Sequence, residues 1–278
     1  MAQKTLTTPL PSLDLVRSRA SWSAVRRRVA PWLMLVLVLA LWQIVTALRL
    51  VEPFLIPPPL DVLREAVTVI QNGTLWLHIQ ATMAPVLAGL AFGVGAALVL
   101  GYAIARLPVL EDLLSPLIVA LQSTPVVAYA PLLVIWFGSG PGSKIITSAL
   151  IVFFPMLLNT IAGLRNVPPG LRDLMRSLQA TRWQTFTRLE VPAAMPVLMS
   201  GLKISATLAV IGAVVGEFIS ANAGLGFLIN LARSQYDTPL VFVAVLTLTV
   251  LARTLYSLAA MLERRALRWQ RHGRYLPQ

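Results

Sequence analysis

The side chains able to do chemistry are few, and their spacing is not that of a catalytic centre. There is no cysteine, which removes disulfides, iron–sulfur clusters and thiolate zinc sites. Two histidines, His78 and His272, cannot make a histidine-rich metal site. Gly138-Ser-Gly-Pro-Gly-Ser-Lys144 invites a phosphate-loop reading. That pattern needs glycine directly before lysine and Ser or Thr directly after it. Here Ser143 precedes Lys144 and Ile145 follows, so the stretch is expected to be a tight turn. Among the eleven acids, Glu217 lies within an apolar run, in Gly216-Glu217-Phe218. An ionisable group at membrane depth costs several kcal/mol unless it is paired or hydrated. Glu217 is therefore a candidate gate, interface or path residue, the alternative being a glutamate that reaches lipid headgroups. Gln122, Ser123 and Thr124, followed by Pro125, interrupt another apolar run. Polar backbone within a membrane faces protein or a water-filled cavity, which makes these three candidates for lining such a cavity or path.

These residues sit in a chain built of long apolar stretches. Of 278 residues, 57% are hydrophobic and 12% charged, against about 45–50% and 25% in soluble domains. A membrane helix needs about 20 mostly apolar residues. Six runs qualify, at 32–48, 81–105, 113–137, 145–164, 197–219 and 240–262, the first being short. The expectation is an all-α integral membrane protein with six transmembrane helices. Gly89 and Gly93 in the second run have the spacing that lets helix backbones approach closely. The alternative is that glycine is simply common in membrane helices.

The net charge of +12 would suggest nucleic acid in a soluble protein, but the charges flank the apolar runs. Seventeen basic residues fall on one side of the six spans and four on the other, with Lys203 and Arg253 inside spans. Basic residues favour the cytoplasmic side, so both termini are expected in the cytoplasm. Lys203 and Arg253 are expected to extend toward the interface. Trp32 and Trp269 then fall near the inner interface, and Trp76 and Trp136 near the outer. The resulting division is a basic N-terminal segment at 1–31, a six-span membrane body at 32–262 and a basic tail at 263–278. The N-terminal segment reads as an interfacial helix, with Leu13, Val16 and Trp22 toward lipid, or as a disordered basic arm. The first run reads as a retained anchor rather than a cleaved signal, because no small-x-small site follows Leu48.

Two connections carry structure of their own. After Pro57-Pro58-Pro59, residues 60–71 read as a short helix with Val62, Ala66, Val69 and Ile70 as its apolar stripe. In the 165–193 loop, Pro168-Pro169 suits a helix start. Leu171, Leu174, Met175 and Leu178 then share one face. Thr181-Arg182-Trp183-Gln184 matches a capping box for a second helix, which Pro192 is expected to stop. Leu174, Leu178 and Phe186 are expected to pack on the chain's own spans, leaving Asp173, Arg176, Gln179 and Arg182 outward. The alternative is a pair of interfacial helices that bind headgroups.

At this loop the sequence resembles the membrane subunit of bacterial ABC importers. The family signature runs Glu-Ala-Ala, three residues, Gly, nine residues, Ile-x-Leu-Pro. The spacing is kept here in Asp173-Leu174-Met175, Gln179 and Leu189-Glu190-Val191-Pro192, with only the proline identical. Gln179 in place of glycine is the main departure. Residues 131–138, Phe154-Pro155, Asn159-Thr160, Ser177-Leu178, Ala180–Trp183 and Gly224-Leu225-Gly226 extend the resemblance to the nitrate, sulfonate and taurine permeases and their vitamin-transporting relatives.

The resemblance implies a type I ABC importer permease fold in a bacterial inner membrane. It implies a homodimeric pore, two ATPase subunits that bind ATP and magnesium, and a substrate-binding protein, with no cofactor and no catalysis in this chain. Asp173, Arg176, Gln179, Arg182 and Pro192 become candidates for coupling to the ATPase. The stretches 121–125 and 202–218 look more like permeases for riboflavin or the thiamine pyrimidine precursor than like those for sulfonate, taurine or nitrate. A channel would need a filter of regular polar rings, and a membrane enzyme would need converging acids or histidines; neither is evident.

Overall fold

The computed structural model describes residues 13–269. Residues 1–12 of the basic segment expected at 1–31, and the tail arginines Arg271 and Arg274, lie outside the described residues. The chain divides into two compact units at residue 63.

The first unit is built on α1, Leu13–Ala47. Its apolar part, Trp32–Ala47, is shorter than the four helices long enough to cross a membrane. Helical backbone continues N-terminally from it to Leu13. The indole of Trp42 donates to the Pro57 carbonyl at 3.0 Å, which ties the proline-rich connection back to the helix. Helix α2, Pro59–Gln71, follows. Val62 and Val69 are buried but Ile70 is exposed, so the expected stripe on α2 is narrower than its sequence suggested.

The second unit contains α3 (Thr74–Arg106), α4 (Pro108–Ser123), α5 (Val126–Phe137), α6 (Pro141–Arg165), α7 (Pro169–Ser177) and α8 (Arg182–Thr185). A π-helical turn at Phe186–Glu190 leads into α9 (Val191–Ile219), followed by α10 (Leu225–Ser234) and α11 (Thr238–Ala266). Among the described residues, four helices are long and apolar enough to cross a membrane, and α4 with α5 forms either a broken fifth span or a re-entrant loop.

The run expected at 113–137 is broken where its sequence has the polar interruption Gln122–Pro125. Helices α4 and α5 meet at 95°. Thr124, with φ −91° and ψ 125°, is extended because the proline after it disfavours helical backbone. Freed side chains fold back onto the helix end: the Ser123 hydroxyl donates to the Val119 carbonyl at 2.8 Å. Gly138, at φ +77°, then makes the tight turn into α6.

Helix α6 lies between α3 and α9. Gly89 and Gly93 of α3 press on it. A β-carbon at Gly93 would come within 2.6 Å of the Ala149 carbonyl oxygen, and one at Gly89 would overlap Ser148. The small-residue spacing is therefore a helix contact rather than a compositional accident. The same Ser148 also meets α9, its hydroxyl donating to the Ala209 carbonyl at 3.0 Å. Val86, Val152, Ala206, Ala209, Val210 and Ala213 form the core where the three helices meet, with Leu255 and Ala259 of α11 closing it.

Candidate functional site

The 165–193 loop is a built structure. Pro168 and Pro169 open α7, where a missing amide costs no helical hydrogen bond. The helix ends in a Schellman arrangement. The Ala180 amide donates to the Met175 carbonyl and the Gln179 amide to that of Arg176, both at 2.9 Å. The geometry requires a left-handed residue between helix and turn, and Gln179 supplies it at φ +52°. The substitution at the signature glycine thus keeps the glycine conformation at a steric cost.

Thr181 caps α8 as its sequence suggested. Its hydroxyl accepts from the Gln184 amide at 3.2 Å, and the Gln184 side chain accepts from the Thr181 amide at 2.8 Å. Pro192 does not stop this helix, contrary to expectation. The π-helical turn at Phe186–Glu190 widens the register, and the chain runs on into α9 with Pro192 in its first turn. Residues 182–219 are one continuous helical stretch.

The loop's orientation is also corrected. Leu174 and Leu178 are 52% and 67% exposed, and Leu171 and Trp183 are exposed as well. They do not pack on the spans. Helix α7 instead turns Arg172 inward, where its Nη2 donates to the Leu164 carbonyl at the end of α6 at 2.8 Å. Fixing that side of α7 to the bundle points its leucine stripe away from it. Phe186 does face inward, edge-on to Tyr102 of α3 with ring centroids 5.1 Å apart. Asp173 and Arg176 are exposed and paired at 3.2 Å. Gln179 and Arg182 are exposed beside them, so four of the five candidate coupling residues share the free side of the loop.

Glu190, which sequence reasoning passed over, is the inner anchor. It is 1% exposed and its Oε2 accepts from Arg106 Nη2 at 2.6 Å. Arg106 is the last residue of α3 and also lies over the Tyr102 ring. The available signal was an acid in a basic loop, two residues before the signature proline. Nearby, Arg165 pairs with Glu111 of α4. Lys203 does not simply reach for the interface. Its Nζ contacts both carboxylate oxygens of Glu263, at 2.7 and 2.8 Å, joining α9 to α11.

The remaining candidates fall elsewhere. Gln122 and Ser123 are exposed at the end of α4, and Thr124 is half-buried in the break. Glu217 is 2% exposed, and its Oε2 accepts from the Gly226 amide at 2.7 Å. Two neighbouring amides at the start of α10 are also satisfied from α3. Gly224 donates to His78 Nδ1 at 3.0 Å and Leu225 to the Thr82 hydroxyl at 2.8 Å. His78, Thr82 and Glu217 therefore satisfy donors that a helix start leaves unpaired. Gly224, at φ +125°, leaves no room for a β-carbon, which would fall on the Glu217 carboxylate. Among the described residues no group of three or more histidines and acids could hold a metal ion.

Comparison with known proteins supplies the family. Residues 93–268 match the binding-protein-dependent transport system inner membrane component. The riboflavin transport system permease protein RibX of Chloroflexus aurantiacus is 42% identical over 85% of this chain and 88% of its own. The formylaminopyrimidine transport permease protein ThiX of Halalkalibacterium halodurans is 33% identical over 87% and 96%. The taurine transport system permease protein TauC of Escherichia coli is 31% identical over 86% and 88%. In fold, the chain is similar to an inward-facing structure of the MetNI methionine ABC transporter, with TM-score 0.62 and 20% identity over 69% of this chain and 97% of that one. The chain thus belongs to the inner-membrane components of binding-protein-dependent transport systems and is a multi-pass permease subunit of an ABC importer.

Proposed function

We propose that this permease carries a small planar vitamin or vitamin precursor, riboflavin or a thiamine pyrimidine precursor, across the inner membrane at the expense of ATP hydrolysed elsewhere. The substrate reading rests on the two relatives whose names give riboflavin and formylaminopyrimidine transport, at 42% and 33% identity. The taurine relative, at 31%, keeps sulfonate or taurine as the second reading. A substrate-binding protein delivers the solute from outside, and two copies of this chain enclose the path. Gln122, Ser123 and Thr124, at the 95° break, are the proposed lining residues. Glu217 is proposed to hold the outer end of α9 in register with α3 and α10.

One observation carries the coupling assignment: the apolar stripe of α7 points away from the chain's own bundle. An exposed row of leucines on a short, capped and anchored helix suits a protein partner. We assign that partner as the ATPase subunit, which alone holds ATP and magnesium. Asp173, Arg176, Gln179 and Arg182 form the polar rim of that contact and Pro192 begins the span it moves.

This assignment requires the loop and both termini to be cytoplasmic, as the basic residues indicate. Because the chain has no cysteine, single cysteines report sidedness cleanly. Cysteines replacing Thr74 and Ser139 should react with an impermeant reagent from outside, and one replacing Thr187 should not. The reverse pattern would overturn the orientation. For the substrate, the cognate binding protein should bind riboflavin or formylaminopyrimidine in a competition assay. Binding of taurine alone would favour the second reading.

A further inference from the structure

In the Arg172–Glu190 pair, two buried polar atoms face each other unpaired. Glu190 Oε1 is buried and has no hydrogen-bond partner among the described residues; the same holds for Arg172 Nε. The two atoms face each other at 3.9 Å. A charge-assisted hydrogen bond between such groups is about 1 Å shorter. An unmatched buried donor and an unmatched buried acceptor therefore sit opposite one another, just out of reach, and each is costly while it stays unmatched.

The surroundings determine which part can move. Glu190 Oε2 is held by Arg106 at the end of α3, and Arg106 is braced over Tyr102 with its guanidinium carbon 5.5 Å from the ring centroid. Glu190 itself is fixed in the π-helical turn that opens α9. Arg172 belongs to the nine-residue α7, whose outer face is free, and its side chain is 36% exposed. The movable partner is α7. A small shift of α7 toward the π-helical turn would pair both orphaned atoms while Arg172 Nη2 kept its bond to Leu164.

We infer that Arg172 and Glu190 form a two-position latch, open in this structure and closed when the ATPase engages the loop, through which α7 drives the cytoplasmic ends of α3 and α9. Both are positioning residues; neither touches the solute. The inference rests on the importer reading above. It adds a specific route, from Arg172 through one carboxylate to Arg106, by which loop movement enters the bundle.

The test uses the complete complex in proteoliposomes, with its ATPase and binding protein, and reads both uptake and ATP hydrolysis. Arg172→Lys keeps the charge on a half-exposed side chain but replaces the forked donor set with a point charge. It should assemble and hydrolyse ATP normally without binding protein, yet import at least about fivefold less substrate per ATP. Glu190→Gln should behave alike, and the double variant should be no worse than the poorer single, as for residues acting through one shared contact. A purely structural role would lower assembly and both activities together, and that result would overturn the inference. So would wild-type coupling in Arg172→Lys, or losses that multiply in the double variant. If Glu190→Gln does not assemble, Arg172→Lys decides alone. A wild-type complex that fails to import on ATP refutes the importer reading and the latch with it, which separates the two failures.

Discussion

Each end of the permease bundle buries one glutamate, and the two are held differently. Glu217 meets the backbone amide of Gly226, next to amides held by His78 and Thr82. Glu190 meets the arginine side chains Arg106 and Arg172, which are 39% and 36% exposed. Amides at a helix start cannot move without the helix, so the Glu217 site fixes α10 to α3 and α9. Arginine side chains swing on several bonds, so the Glu190 site tolerates small shifts of the loop. The same residue type thus makes a rigid clamp at one end and an adjustable joint at the other. The adjustable end is the one that carries the exposed leucine stripe.

The contrast can be broken at its rigid side first. Gly224→Ala forces a β-carbon onto the Glu217 carboxylate and a side chain into φ +125°. It should cost about 3 kcal/mol or more in thermal unfolding of the purified subunit. A neutral result would mean that the clamp is loose. At the adjustable side, Asp173→Arg and Gln179→Arg should change unfolding by no more than about 0.5 kcal/mol, since both residues are exposed. They should still weaken ATPase association by about 1 kcal/mol or more, read by titrating the ATPase onto the reconstituted permease. Wild-type association and uptake in both would remove the loop from the contact.

Smaller effects sharpen the same comparison. Gln179→Gly relieves the left-handed strain at φ +52°. It should stabilise the loop by up to about 1 kcal/mol, measured as slower proteolysis there. Faster cleavage would mean that the glutamine side chain holds the turn. The smallest effect belongs to Glu65 on α2. Burial first, and the Asp237 carboxylate second, raise its carboxyl above the usual range. A folded-state pKa above the unfolded one makes the ionised form a liability at neutral pH, relieved as pH falls through the raised value. Glu65→Gln should therefore stabilise by up to about 0.5 kcal/mol at pH 7 and lose that advantage at lower pH. An advantage independent of pH would point to packing instead.

The legible parts of this molecule are those set by local chemistry. Apolar length found α3, α6, α9 and α11, Thr181 and Gln184 found the start of α8, and the Gln122–Pro125 interruption fell at the break between α4 and α5. What failed depended on partners distant in sequence. The stripe of Leu171, Leu174 and Leu178 was visible, but its direction was decided by Arg172 reaching the Leu164 carbonyl. Pro192 carried a stop signal that the preceding π-helical turn cancels. Glu190 was hidden because its meaning lies in Arg106, which belongs to another helix. Glu217 stood out as a buried acid, yet its glycine partners became visible only once α9 and α10 were placed side by side.

The central claim, that the outward leucine stripe of α7 is the surface that meets the ATPase, is tested most directly by site-specific cross-linking. Leu174→Cys and Ser139→Cys, each on the naturally cysteine-free chain, would be assembled with the ATPase and treated with a thiol-to-amine cross-linker. The account predicts a permease–ATPase adduct from position 174 and none from position 139. A complex that hydrolyses ATP but gives no adduct at 174, or gives one at 139, would contradict it.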